Sequence, residues 1–412
     1  MRVAARRAEP RSQADFLLFA DFVLPNQVLR DGWLAVSGSR ILDLGKGQPP
    51  TAGATIRLPG HLVVPGFVDL HLHGLENGHP GSAEGIREML LAAPRHGVTG
   101  LTPALASATH EQYLAFFDNA RAAQAQTSGG ARLLGVHAEG PHINPRMARG
   151  MDPAFLRPPN PDEDAELLER SSGLLKVMTF SPELPGSQAL IQALVAHGVT
   201  ASVGHSAATR VEVHRAVAAG ATQVCHWPNA LPKRDREPDL PDTAAYCLDE
   251  PGLTLEIIPD LVHVPADKIL LARDKAGVDR LVAVTDGMRG AGPGAQKRGR
   301  VSRSFRMTDG RHYTVDLQRG CRLVDSDVLV GSAITLLEAF QNLVSKLGFS
   351  PVEAVQLCST NPARQIGLGG ELGRLAPGFL ADFAVLTPDL ELRTTFVGGR
   401  QVAGSALLPA RR

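Results

Sequence analysis

The chain has no excess of either charge: 42 Lys and Arg stand against 42 Asp and Glu in 412 residues. Without a global field, nothing draws it to nucleic acid or to an anionic membrane, and any anionic ligand must be held by local groups. Cysteine is scarce and unpaired in pattern. Cys225, Cys247, Cys321 and Cys358 share no CxxC or CxxxC spacing, and each lies in or beside an apolar stretch. They read as buried thiols of a reducing compartment rather than as a disulfide framework or a zinc knuckle. No apolar run approaches the roughly 18 residues of a membrane span. The arginine-rich start MRVAARRAEPRSQ leads into no apolar segment with a cleavage site, which excludes a secretory signal. The basic stretch Arg298, Arg300, Arg303, Arg306 lacks the interleaved aromatic pairs of a nucleic-acid surface. A cytoplasmic protein is the expectation.

What is present is a rhythm. From about Ala14 to Leu58 short alternating strands are separated by turn residues (DFLLFADFVL, GWLAVSGSRILDLG, ATIRLPG), and ADFAVLTPDLELRTTFVGGRQV near the other end has the same character. Between them come eight apolar runs: HLVVPGFVDLHLH, GVTGLTPAL, RLLGVHAE, LLKVMTF, GVTASVGH, ATQVCH, GLTLEII and RLVAVTD. Near-continuous apolar runs alternating with amphipathic helical segments are the pattern of parallel strands covered by helices. Ser187–His197 and Thr209–Ala219 read as two such helices, with Gly198 and Gly220 as C-caps. The expectation is an α/β protein, a (β/α)8 TIM-type barrel over 61–376. A small β-sandwich domain would join residues 14–60 to 377–412, and residues 1–13 would form a mobile extension. The stretch Gly290 to Val324 breaks the rhythm and reads as a functional excursion beyond the eighth strand.

Six imidazole or carboxylate side chains sit at the ends of five of these runs: His71 and His73, Glu139, His205, His226 and Asp286. Catalytic groups of such barrels come from the C-terminal ends of several strands, so a ligand set dispersed along the chain converges in space. An HxH pair at i and i+2 on a strand shares one face and can grip one ion, though a hydrogen-bonded pair fits equally well. Asp69 shares that face and could orient a histidine. Glu139, stopped by Gly-Pro, must meet a metal or a cation if it is buried, and His137 lies on its strand face. His205 and His226 would each, alone, be satisfied core histidines. The common register of all six points to metal.

The motifs PGFVDLHLHG, HAEGPHINP, VGHSAAT, HWPNAL, VTDGM, LVGSAITLLEAF and STNPARQIGL…GRLAPGFLADFAVL together resemble the metal-dependent amidohydrolase superfamily, and within it the N-acetylglucosamine-6-phosphate deacetylase family. The resemblance runs colinearly from roughly residue 55 to 400. It implies a metal triad of Glu139, His205 and His226, a second metal position at His71 and His73, and Asp286 as catalytic aspartate and possible ligand. It also implies a sugar phosphate held around Asn229 and Ala230 with Arg236 on the phosphate, and His263 on the substrate. Gly331 and Ser332, in LVGSAITLLEAF, join the substrate-binding set. The implied cofactor is one or two divalent ions, zinc first, with iron, manganese or cobalt as alternatives. The implied partners are an amino-sugar phosphate and a second copy of the chain in a homodimer. The chain departs from the family at Asp152, where a substrate-touching histidine is usual, at Leu261, where glycine is common, and at Trp227 and Pro228. Deacetylation of an amino-sugar phosphate is therefore set beside hydrolysis of another N-acyl substrate and beside a non-catalytic, metal-stabilised scaffold. A proton-carrying Asp286 argues against the scaffold.

Overall fold

In the computed structural model, which describes residues 13–106, 108–292 and 304–407, all eight apolar runs are strands at their expected places. They are β5 (Phe67–Leu72), β6 (Val98–Ala106), β8 (Val136–Glu139), β9 (Leu175–Phe180), β10 (Thr200–Val203), β11 (Gln223–Val224), β12 (Thr254–Ile257) and β13 (Leu281–Ala283). A two-residue strand, β7 (Arg132–Leu133), also pairs with β6. The pairing is parallel throughout. Backbone bonds from Asp286 N to His71 O (2.8 Å) and from His73 N to Gly287 O (2.7 Å) join the last strand's extension to the first. The ring is thus an eight-stranded barrel. Its strands are buried on both faces, which is why they read as apolar runs rather than alternations.

Helices cover the outside, and local capping sets their starts. Thr109 and Gln112 form a capping box for the helix His110–Gln126, and Thr209 with Glu212 does the same for Arg210–Ala219. The second of these helices begins one residue later than expected because Thr209 serves as its N-cap. Gly220 closes it in the left-handed conformation at φ 116°.

The chain ends build a second sheet of seven strands in the order β20-β19-β18-β4-β1-β2-β3. These are β1 (Ala14–Leu24), β2 (Gln27–Ser37), β3 (Arg40–Gly45), β4 (Ala52–Pro65), β18 (Phe383–Leu386), β19 (Leu392–Val397) and β20 (Arg400–Gly404). Phe16 on β1 and Phe396 on β19 stand three strands apart, about 14 Å in a flat sheet at ~4.8 Å per step. Their ring centroids are 5.5 Å apart, so the sheet curls over its own core of Phe16, Phe22, Phe383 and Phe396. Strand β4 stays paired with β18 as far as Pro65. The piece HLVVP of the first apolar run therefore lies in this sheet, and the barrel starts at Phe67. The expected N-terminal extension lies almost wholly outside the described residues.

The break in rhythm after the eighth strand is also a sheet. β14 (Ser304–Arg306), β15 (His312–Asp316), β16 (Gly320–Leu323) and β17 (Leu329–Gly331) form an antiparallel meander that packs Tyr313, Cys321 and Leu323 against Met288. It roofs the C-terminal mouth of the barrel. All four cysteines are buried free thiols. No helix among the described residues is long and apolar enough to cross a membrane.

Candidate metal centre and substrate cavity

Each of the six singled-out side chains comes from a strand end at the same mouth, and their tips converge. Oε1 of Glu139 lies 3.3 Å from His205 Nε2 and 3.0 Å from His226 Nε2, and those two nitrogens are 3.1 Å apart. The other oxygen of the same carboxylate, Oε2, lies 3.1 Å from His73 Nε2 and 3.7 Å from His71 Nε2. Asp286 Oδ1 completes this second set at 3.3 Å from His73 and 3.7 Å from His71. Glu139 thus offers one oxygen to each of two donor sets.

The fit to metal is a matter of distances and lone pairs. Ligands about 2.0–2.2 Å from an ion are roughly 3.0–3.5 Å from one another, which is the spacing seen here except between His71 and the two carboxylates, at 3.7 Å. Nδ1 of His73 faces Ala104 O at 3.0 Å, Nδ1 of His205 faces Met147 O at 2.9 Å, and Nδ1 of His71 faces Glu256 Oε2 at 3.0 Å. Carbonyl and carboxylate oxygens only accept, so these Nδ1 atoms carry the protons and each Nε2 is left with a lone pair. The lone pairs of His71 and His73, aimed at each other across 3.3 Å, repel unless a cation lies between them. The donor set therefore suits divalent ions, and His71, His73 and Asp286 form a grouping with ligand spacing among the described residues.

When no ion is bound, protons take that role. Burial disfavours the charged form of His73, but the bonds to Asp286 and Glu139 prevail and raise its pKa to about 9. Glu139 is held well below the usual carboxylate range, because His71, His205 and His226 outweigh the effect of its burial. Asp286 is likewise lowered: burial pushes it up, while His73 and then the charge of His71 pull it down further. Metal and protons compete for one place. Ion affinity should consequently climb as the pH rises towards 9, with protons released on binding. Calorimetry in two buffers of different ionisation heat would show that release, and an affinity independent of pH would contradict it.

Local backbone geometry is specialised at these positions. His205, His226 and Asp286 all have positive φ (46°, 29° and 49°), a region non-glycine residues seldom occupy. Gly204 makes the His205 turn feasible, since a Cβ there would lie 2.6 Å from both Cys225 Cβ and Thr179 Cγ2. Gly331 lets the roof approach, since a Cβ would come within 2.8 Å of the Asp286 carbonyl.

The centre opens into a cavity of about 790 Å³, within the range of small-molecule sites. Asn229, Ala230, His263 and Gly331 line it, as expected of substrate-binding residues. Nδ2 of Asn229 and Nε2 of His263 are buried without any partner, and Asp260 holds the other His263 nitrogen at 2.5 Å. Ser332 is not in the lining. Its hydroxyl donates to Thr285 O (2.6 Å) and its amide to Asp286 O (2.8 Å), so it braces the segment that carries Asp286. Asp152 is not in the lining either, because its carboxylate is spent as an N-cap on Ala154 N at 3.0 Å. Leu261 sits at φ 63° outside the lining, so that departure is one of backbone conformation. Arg236 is exposed and outside the lining. It shares a turn with Glu237, whose carboxylate bonds Arg149, a residue that does line the cavity, at 2.7 Å. His137 is fully buried beneath the site with both nitrogens engaged, at Leu70 O and Thr179 Oγ1. Burial, and then the neighbouring His71, press its pKa down to about 3, so it is neutral and not placed to carry a proton for substrate. The sequence carried no signal for Arg149, Arg289 and Arg311 in the lining or for Glu256 beneath the ligands, while Arg306, noted only as part of a basic stretch, lines the cavity too.

Imidazoles and carboxylates converging at the mouth of a parallel barrel, in a cavity sized for a small molecule, define the metal-assisted barrel hydrolases as a class. The chain belongs to the amidohydrolase family, whose model matches residues 62–402, and within it to the N-acetylglucosamine-6-phosphate deacetylases. It is 28% identical to the N-acetylglucosamine-6-phosphate deacetylase of Bacillus subtilis, with 94% of this chain and 97% of that one covered. Identity to the Caenorhabditis elegans enzyme of that name is 30%, with 91% and 92% covered. An N-acetylgalactosamine-6-phosphate deacetylase of Escherichia coli O157:H7 is 29% identical, with 90% and 96% covered. Among solved structures, a mutant of the Mycobacterium smegmatis N-acetyl-D-glucosamine-6-phosphate deacetylase in complex with N-acetyl-D-glucosamine-6-phosphate superposes with a TM-score of 0.85 at 30% identity. It covers 94% of this chain and 99% of that one.

Proposed function

We propose that this chain hydrolyses N-acetylglucosamine 6-phosphate to glucosamine 6-phosphate and acetate, a step of amino-sugar catabolism, as a cytoplasmic homodimer. The observation that carries the reading is the pairing, in one cavity, of the two-sided Glu139 donor set with two unpartnered buried groups, Asn229 Nδ2 and His263 Nε2, that await a polar ligand. Glu139, His205 and His226 would hold one ion, and His71, His73 and Asp286 a second that shares Glu139; zinc is the first candidate, with iron, manganese and cobalt next. A bound divalent ion polarises an amide carbonyl and makes water a nucleophile near neutral pH. Asp286, ionised and at the centre, takes a proton from the attacking water and passes it to the departing amine. His263, fixed by Asp260, and Asn229 orient the sugar. Burial of Glu139, His71, His205, His226 and Asp286 keeps their interactions poorly screened. Asp152 and Leu261, the departures that favoured another N-acyl substrate, lie outside the cavity lining, so no observation on the site favours that reading.

Elemental analysis should give two ions per chain, falling to one when His71 and His73 are both replaced by Asn. One ion in the unaltered protein, insensitive to that replacement, would leave only the Glu139, His205 and His226 position standing. Acetate release should be efficient with N-acetylglucosamine 6-phosphate and poor with the unphosphorylated sugar; equal rates on both would refute the phosphate assignment. The exposed Arg236 serves the phosphate from a second copy of the chain, where its planar guanidinium makes a two-pronged contact. Arg236→Lys should therefore raise KM about tenfold or more for the phosphorylated substrate only, at the ~1.4 kcal/mol or more that loss of one charged hydrogen bond brings. No change in KM would move the phosphate to the arginines of the chain's own cavity, Arg149 first.

A further inference from the structure

The three metal-facing histidines whose Nδ1 is satisfied are not held alike. Backbone carbonyls hold His73 and His205, whereas a carboxylate holds His71. That carboxylate, Glu256, lies in the middle of β12, is fully buried, and accepts from three donors: His71 Nδ1 at 3.0 Å, the His226 backbone amide at 3.1 Å and Gln223 Nε2 at 2.5 Å. A buried carboxylate with only neutral donors is strongly disfavoured, so its charge needs a cation near by. The place where one would fit lies across the His71 ring, where His71 Nε2 faces Glu139, Asp286 and His73. A carboxylate behind a ligating imidazole fixes its tautomer and makes its free nitrogen a stronger donor than a carbonyl does.

We propose that Glu256 is the positioning residue of the ion held by His71 and His73, fixing His71 in the tautomer and orientation that present Nε2 to that ion. Gln223 in turn holds Glu256 in place, and the His226 amide ties the same carboxylate to the neighbouring donor set. The inference rests on the two-ion reading above but not on the identity of the substrate.

The test is a titration of chelator-stripped full-length protein with Co(II) or Zn(II), counting ions and measuring both affinities. Glu256→Gln keeps size and shape but replaces the anionic acceptor with a neutral one. It should weaken one ion about 10 to 100-fold and spare the other, and the weakened ion should be the one that His71→Asn removes. Melting of the metal-free variant should stay close to that of the unaltered protein. Should Glu256→Gln fail to fold, Glu256→Asp decides, because the shorter carboxylate keeps its charge but cannot reach His71; the same selective loss supports the proposal. Unchanged titration, equal weakening of both ions, or an unaltered protein with no ion sensitive to His71 would each overturn it. A protein that binds both ions in this manner yet releases no acetate from the sugar phosphate would leave this inference intact and sink the functional one.

Discussion

Replacing Asp286 with Asn is expected to lower kcat about 10² to 10⁴-fold, the usual worth of a positioned general acid–base group, while substrate still binds. The amide keeps the shape of the carboxylate and can still lie 3.3 Å from His73 Nε2 through its oxygen, but it cannot take up a proton. The large effect follows from the lack of a substitute. His137, which shares the Glu139 strand face, is neutral and has both nitrogens engaged below the cavity. His263 has a free Nε2 in the cavity, but it does not belong to the donor cluster around Glu139. Steady-state kinetics with an acetate assay, alongside isothermal binding of the sugar phosphate, would separate the two quantities. Turnover within a few fold of the unaltered enzyme would mean that another group moves the proton; loss of ions together with turnover would mean that Asp286 acts mainly as a ligand.

Much of this site was legible because barrel strands announce themselves twice. Strands buried on both faces read as apolar runs, and a charged or imidazole group closing such a run has nowhere to go but the mouth. That logic placed His71, His73, Glu139, His205, His226 and Asp286 without any pairing information, and it found β11 although only Gln223 and Val224 are regular strand. It fails for groups whose role depends on what lies opposite. Glu256 sits inside the run GLTLEII, where strand position says only that it is buried; its partners His71 and His226 are 185 and 30 residues away in sequence. Asp152 and Ser332 were placed by neighbours in motifs, and local hydrogen bonding claims both, as a cap and as a brace. The roof over the mouth read as an excursion because its strands are only three to five residues long and belong to a separate sheet.

Glu139→Gln should be the most damaging single change in the molecule, removing both ions and, with them, measurable turnover. One carboxylate serves both donor sets, with Oε1 at 3.0 and 3.3 Å from His226 and His205 and Oε2 at 3.1 Å from His73. An amide offers one weak oxygen in place of two charged ones, and its NH2 would face an imidazole lone pair or an ion. Thermal melting shows the loss without any assay of activity. An ion at about 100 times its dissociation constant stabilises the folded state by about 2.7 kcal/mol, so zinc should raise the melting temperature of the unaltered protein and leave Glu139→Gln unmoved. The pH dependence sharpens the contrast. In metal-free protein the raised pKa of His73, about 9 against 6.5, contributes stability that is complete below 6.5 and is lost as pH rises through 9. Bound ions require the neutral imidazole, so their contribution runs the opposite way. The melting curves of stripped and zinc-loaded protein should therefore diverge as the pH is raised from 6 to 9. Glu139→Gln removes one of the two carboxylates that hold the proton on His73, so its metal-free stability should fall off at lower pH, with no zinc-dependent gain at any pH. A variant that kept two ions and a normal zinc shift would show that Glu139 is not the bridge.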